Sequence, residues 1–107
     1  MTEIRELDLS PFALTHVCGN GMSLVARTPL SFKPMLDETR QFICLRDENL
    51  SINVFAETRQ KLSVELDEQI LMLWSEYALA ADDTLDGVAQ RLKRRLLDIF
   101  DGAENAA

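Results

Sequence analysis

The chain has 107 residues and a net charge of −7, which fits one acidic domain. Hydrophobic residues make up 47% of it and charged residues 27%, a composition typical of globular proteins and too apolar for a disordered one. Because a negative chain repels a polyanion at long range, general nucleic-acid binding by counterion release is not expected. A cationic partner fits this charge better.

The start of the chain and its two cysteines indicate where the protein works. Residues 1–10 include several charged side chains, which the apolar core of a signal peptide would not tolerate. No apolar run approaches the length needed to cross a bilayer. Cys18 and Cys44 do not form the pattern of a disulfide framework, so both are expected to stay reduced and to be buried. The sequence therefore predicts a cytoplasmic protein with no membrane segment.

The first half of the chain has the patterning of two β-hairpins. Residues 12–18 and 22–27 flank a Gly-Asn-Gly sequence that accepts the positive φ of a tight turn. Residues 40–46 and 50–55 flank a polar turn at 47–49, and the second arm alternates apolar with polar side chains. Between the hairpins, two prolines bracket residues 30–33, which predicts an edge segment or a loop.

The second half of the chain has helical periodicity. One helix is predicted over residues 58–79 and another over 84–100, each with an apolar stripe. Asp83 or Thr84 is expected to cap the second helix, and Gly102 to close it. The first stripe contains Leu62, Leu66, Ile70, Leu73 and Tyr77, and the second contains Leu85, Val88, Ala89, Leu92, Leu96, Ile99 and Phe100.

These elements predict a single α+β domain, an antiparallel sheet of three or four strands covered on one face by a C-terminal helical hairpin. Its parts are an N-terminal arm (residues 1–11), strands (12–56), two helices (57–101) and a frayed tail (102–107). Since both helical stripes must be buried and the sheet has one apolar face, a homodimer is favoured over a monomer.

His16, the chain's single histidine, is the main candidate for a catalytic or metal-binding residue. With Cys18 and Cys44 it makes up the whole set of soft metal ligands, whereas a structural zinc site needs four ligands in paired spacings. No serine or cysteine has the sequence context of an activated nucleophile. We therefore predict no catalytic residue, no metal site and no cofactor. A small enzyme or metal-dependent protein centred on His16 is the alternative.

The surfaces of the two helices carry opposite charges. Glu65, Glu68 and Glu76 lie off the first apolar stripe, with Met72 on the same exposed side, and this acidic face is predicted to meet a basic protein.

The last helix carries Arg91, Arg94 and Arg95 on one face. These side chains are candidates for contact with phosphate or an acidic ligand, although no aromatic residues interleave with them as in single-strand nucleic-acid sites. Nucleic-acid contact through this basic face is a second alternative.

The stretch Leu50-Ser-Ile-Asn-Val-Phe-Ala-Glu-Thr58, followed by Leu62, Leu66 and Ile70, resembles the late strand and following helix of small HicB-like antitoxin domains. The resemblance covers residues 50–70, and the family's DNA-binding segment has no counterpart here. It implies acidic binding of a small basic toxin. The function expected from the sequence is a binding or regulatory module, such as an antitoxin, an immunity protein or a phage-encoded inhibitor.

Overall fold

The computed structural model describes residues 8–19 and 21–104. Over these residues the elements are β1 (Phe12–Gly19), β2 (Met22–Phe32), β3 (Met35–Leu36), β4 (Ile43–Asp47), β5 (Ile52–Ala56), α1 (Arg59–Leu73), α2 (Gly87–Ile99) and β6 (Phe100–Glu104). A π-helical turn, Trp74–Ala78, continues α1, and a 3-10 turn, Asp82–Thr84, precedes α2. The α+β class predicted from the sequence is confirmed.

The described strands form two antiparallel sheets instead of one, with the orders β1-β2-β6 and β3-β4-β5. The difference arises because the β1-β2 hairpin does not pair with the strands of the second hairpin; its third strand is β6, which pairs with the first part of β2. The predicted closing role of Gly102 is wrong, and so is the frayed tail for residues 102–104, because the chain turns from α2 directly into this strand. Phe100, which is 1% exposed, anchors the turn in the core. Residues 105–107 lie outside the described residues.

Both predicted hairpins are present, with adjusted boundaries. Gly19 pairs with Met22 across the first turn, where Gly21 has a φ of 75°; Asn20 lies outside the described residues. Beyond Ala26, β2 pairs with β1 alone, so this part of β2 lies at the edge of the sheet. It contains Pro29, and a proline within a strand requires such an edge position. The second turn lies at residues 48–51 and not at 47–49, with Ser51 at a φ of 57°.

Helix α1 begins where the sequence predicts. The Thr58 side chain caps it by accepting a hydrogen bond from the Lys61 N–H at 3.1 Å. The predicted stripe is buried from Leu62 to Leu73, while Tyr77 is half-buried in the π-helical turn. The helix packs against β5 and β4 of one sheet and β1 of the other, so the core lies between α1 and both sheets.

Helix α2 begins later than predicted. Its cap is Asp86, whose carboxylate accepts from the Ala89 N–H at 2.8 Å, because Asp83 and Thr84 are held in the 3-10 turn. The predicted stripe is buried only from Leu92 onward, since Val88 in the first turn is 69% exposed. The helix packs against the π-helical turn and against β2 and β6.

Arg59, the first residue of α1, anchors the segment that precedes β1. Its guanidinium donates to the carbonyl oxygens of Asp8, Ser10 and Pro11 at 3.1, 2.7 and 3.3 Å. It also lies 3.9 Å from the centroid of the Phe12 ring, within cation–π range. These contacts join the start of the helix to the first sheet.

Replacing Leu66 with alanine should destabilise the fold by about 2–5 kcal/mol, because the side chain is 1% exposed and its removal leaves a cavity under α1. Val64, on the same helix and 51% exposed, supplies the control, and Val64→Ala should change stability by no more than about 0.5 kcal/mol. Urea unfolding measures both. Equal effects for the two variants would show that the stripe is not the buried side of α1.

Replacing Gly102 with alanine should destabilise the protein by about 1–3 kcal/mol, because a Cβ there would overlap the buried ring of Trp74. Gly87→Ala is the matched control, since the nearest atom to its added Cβ lies 3.9 Å away and the residue is helical. That variant should be neutral or stabilising by up to about 1 kcal/mol. Thermal melts that rank the two variants in the opposite order would contradict the packing described for β6.

Candidate functional site

A shallow groove runs beside the outer edge of β5, between that strand and α1. Since β5 is the last strand in the order β3-β4-β5, only one of its edges is paired within the sheet. Two adjoining depressions, of about 660 and 520 Å³, share Phe55 and Glu65 in their lining and together form the groove. The first is bounded by the Thr58 cap, and the second extends to Met72.

The walls of the groove carry three large apolar side chains that remain exposed. Phe55 on β5 is 61% exposed, and on α1 Val64 is 51% and Met72 41% exposed. The Phe55 ring makes an edge-to-face contact with Phe42, with ring centroids 5.5 Å apart and an interplanar angle of 86°. Apolar side chains that meet at the surface from two elements are typical of a contact surface.

The rim of the groove is mainly acidic. Glu57, Glu65 and Glu68 belong to its lining and are exposed, with Lys61 as the basic residue among them. The structure therefore brings together Glu65, Glu68 and Met72 of the predicted binding residues. Glu76 is exposed in the π-helical turn and does not belong to this lining.

Sequence reasoning missed Phe55 and Val64 as members of the site. A signal was present for Phe55, because in the alternation of β5 it falls with Asn53 on the solvent-facing side, where a large apolar side chain remains uncovered. A signal was also present for Val64, because it is an apolar residue outside the buried stripe of α1. Their convergence depends on how α1 packs beside β5.

The backbone of β5 is partly covered along the groove. The Asn53 N–H points away from β4 and donates to Oε1 of Gln69 on α1 at 2.8 Å. A helix side chain thus satisfies one of the backbone groups that an edge strand leaves open. This hydrogen bond directly joins the two walls of the groove, β5 and α1.

A second candidate site lies on the first sheet, around His16. Nε2 of His16 lies 3.1 Å from Sγ of Cys18 and 2.8 Å from Oγ of Ser23, which faces Cys18 across the hairpin. His16 and Cys18 are both exposed, so the predicted burial of Cys18 is wrong, because its side chain lies on the open face of β1. Cys44 is on β4 of the other sheet, and among the described residues no three His, Cys, Asp or Glu side chains are placed to share a metal ion.

The basic side chains of α2 are partly engaged within the fold. Lys93 pairs with Asp82 at 2.8 Å, and the hydrogen bond and charge of that ammonium hold the pKa of the Asp82 carboxyl below its ordinary value. Nη1 of Arg95 donates to the carbonyl oxygen of Asn49 at 3.3 Å. Arg91, Arg94 and Arg95 are all exposed, so the three predicted contact residues stay open to solvent even though Arg95 makes this hydrogen bond.

No family model, curated protein or solved structure matches this chain. Neither helix in the described ranges combines the length and apolar character that a membrane crossing requires.

Replacing both thiols, as Cys18→Ser with Cys44→Ala, should leave the metal content of the purified protein unchanged. Because Cys18 is exposed, a serine hydroxyl there can bond to water, and its contribution to the change in stability should stay within about 0.5 kcal/mol. Elemental analysis and a thermal melt measure the two quantities. Stoichiometric zinc in the wild-type protein that disappears from the variant would contradict this prediction.

Proposed function

We propose that the protein is a small binding module that holds a basic partner in the groove between β5 and α1. The observation that carries the proposal is the exposure of Phe55 with Val64 in one depression of the groove and with Met72 in the other, inside a rim of glutamates. An apolar centre with a charged rim is the usual composition of a protein interface.

The charge of the whole chain supports a basic partner. A net charge of −7 attracts cationic molecules over distances comparable to the Debye length, and the glutamates at the rim add a local attraction. Charges in this position act mainly on the rate of association and on the choice of partner. The partner would therefore bind faster at low salt.

The HicB-like resemblance is consistent with this proposal. Residues 50–70 form the turn before β5, the strand itself, the Thr58 cap and most of α1, so they build both walls of the groove. We propose the action of an antitoxin, immunity or inhibitor protein, located in the cytoplasm. The homodimer favoured by the sequence stays a prediction, although both helices already bury their main apolar side chains within one chain.

The contact between His16 and Cys18 favours a second candidate function, thiol chemistry at Cys18. An imidazole nitrogen 3.1 Å from a thiol is within reach of its proton. This site is open to solvent on the surface of a hairpin and lacks the water-excluding pocket in which such chemistry is efficient. Binding in the groove is therefore the better supported function.

Selection of a displayed library of random octapeptides against the protein tests the proposal. Peptides rich in lysine or arginine together with apolar residues should be enriched, and Glu65→Lys with Glu68→Lys should weaken them about tenfold, since each rim pair contributes up to about 1 kcal/mol. The control is Asp83→Lys with Asp98→Lys, which changes the net charge equally at exposed positions outside the groove. No enrichment, or equal losses in both double variants, would contradict the proposal.

A further inference from the structure

We infer that the groove takes its partner as an extended basic segment, which pairs with the free edge of β5 as an additional strand. The inference rests on the proposed function and adds the mode of binding. Strand addition gives affinity through main-chain hydrogen bonds and specificity through alternate side chains. Three features of the groove carry it: the open edge of β5, the position of Gln69, and the charges and apolar surface on either side.

The edge of β5 presents backbone groups in the right alternation. In an antiparallel ladder, the N–H and C=O groups of successive residues point alternately toward the two neighbours. Asn53 turns its N–H away from β4, so Phe55, two residues along, turns its N–H and C=O the same way. Among the described residues, no hydrogen bond reaches the Phe55 backbone from outside the ladder with β4.

The Gln69 side chain lies where part of an added strand would pair with β5. Its Oε1 accepts from the Asn53 N–H, which is the role that a carbonyl oxygen of an added strand would take. A glutamine side chain can withdraw by rotating about its own bonds, with no change in the backbone of α1. Gln69 therefore protects the edge of the unbound protein and yields when a strand arrives.

The two sides of the groove define the side chains of the partner. In an added strand, successive side chains face opposite sides of the sheet. On the helix side they meet Glu65 and Glu68, and on the other side they lie beside the exposed ring of Phe55. A segment that alternates basic with apolar residues satisfies both sides at once.

The same charges disfavour a second copy of this chain as the occupant. Two molecules paired edge to edge through β5 would bring two acidic rims together, each on a chain of net charge −7. Like charges placed opposite one another across a strand pair are destabilising. A separate basic segment removes this repulsion and replaces it with attraction.

The test uses the full-length protein and the peptide acetyl-(Lys-Val)4-amide, with two N-methylated forms of it. One form carries N-methyl groups on every lysine and the other on every valine. Since only one edge of an added strand faces β5, one form should bind at least tenfold more weakly, while the other should bind within about threefold of the unmodified peptide. Affinities and the perturbed amide resonances, Phe55 among them, are measured by NMR titration.

The outcomes separate this inference from the proposed function. Equal binding of all three peptides, with the loss in Glu65→Lys and Glu68→Lys retained, would overturn strand pairing and leave groove binding intact. If the unmodified peptide is not held and the octapeptide library gives no groove binder, the proposed function fails as well. If the unliganded protein is a dimer and the peptide dissociates it, the occupant of the groove is a second copy of this chain. That result would overturn the proposal of a separate basic segment.

Gln69 gives an independent check from the side of the protein. Gln69→Leu should tighten binding of the unmodified peptide about threefold to fivefold, because the strand no longer competes with the side-chain amide for the Asn53 N–H. Gln41→Leu, at an exposed position outside the lining of the groove, is the control and should leave the affinity unchanged. Unchanged or weaker binding in Gln69→Leu would overturn pairing at Asn53.

Discussion

The burial of one stripe of α1 against both sheets is the constraint on which the rest of the structure depends. Leu62, Leu66 and Ile70 are at most 1% exposed, and the helix contacts strands of each sheet. The two sheets share no strand, so this helix is their principal common support. Apolar burial of this kind is the largest favourable term in folding. The cap at Thr58 and the contacts of Arg59 then set where the helix begins.

The candidate binding groove is a by-product of that packing. Once the stripe faces the core, the neighbouring side of α1 lies beside the outer edge of β5, and Gln69 reaches the Asn53 N–H. The same placement leaves Val64 and Met72 exposed next to Phe55. An edge strand normally needs protection from other chains, and here a single side-chain amide supplies part of it. Because this protection is a single side chain that can rotate away, a competing strand can reach the edge.

The remaining charged and nucleophilic groups have structural roles or lie apart from the groove. Lys93 pairs with Asp82 in the 3-10 turn before α2, and Arg95 donates to the Asn49 carbonyl oxygen in the turn between β4 and β5. These bonds account for part of the basic cluster that the sequence singles out. His16 and Cys18 interact with each other on the surface of a different sheet. This separation means that variants at the two sites report on different functions. Binding in the groove and thiol chemistry at Cys18 can therefore be tested independently.

The sequence by itself determined the class of fold, the two hairpins, the start of α1 near Thr58, the buried stripe of α1 and the acidic character of the surface. Each of these depends on neighbours within a few residues, through side-chain period, turn chemistry or local hydrogen bonds. Only the tertiary structure decided that residues after Ile99 form β6 and that Phe55 lines a groove beside α1. These features depend on which distant segment is available to pair or pack, and no local pattern encodes that.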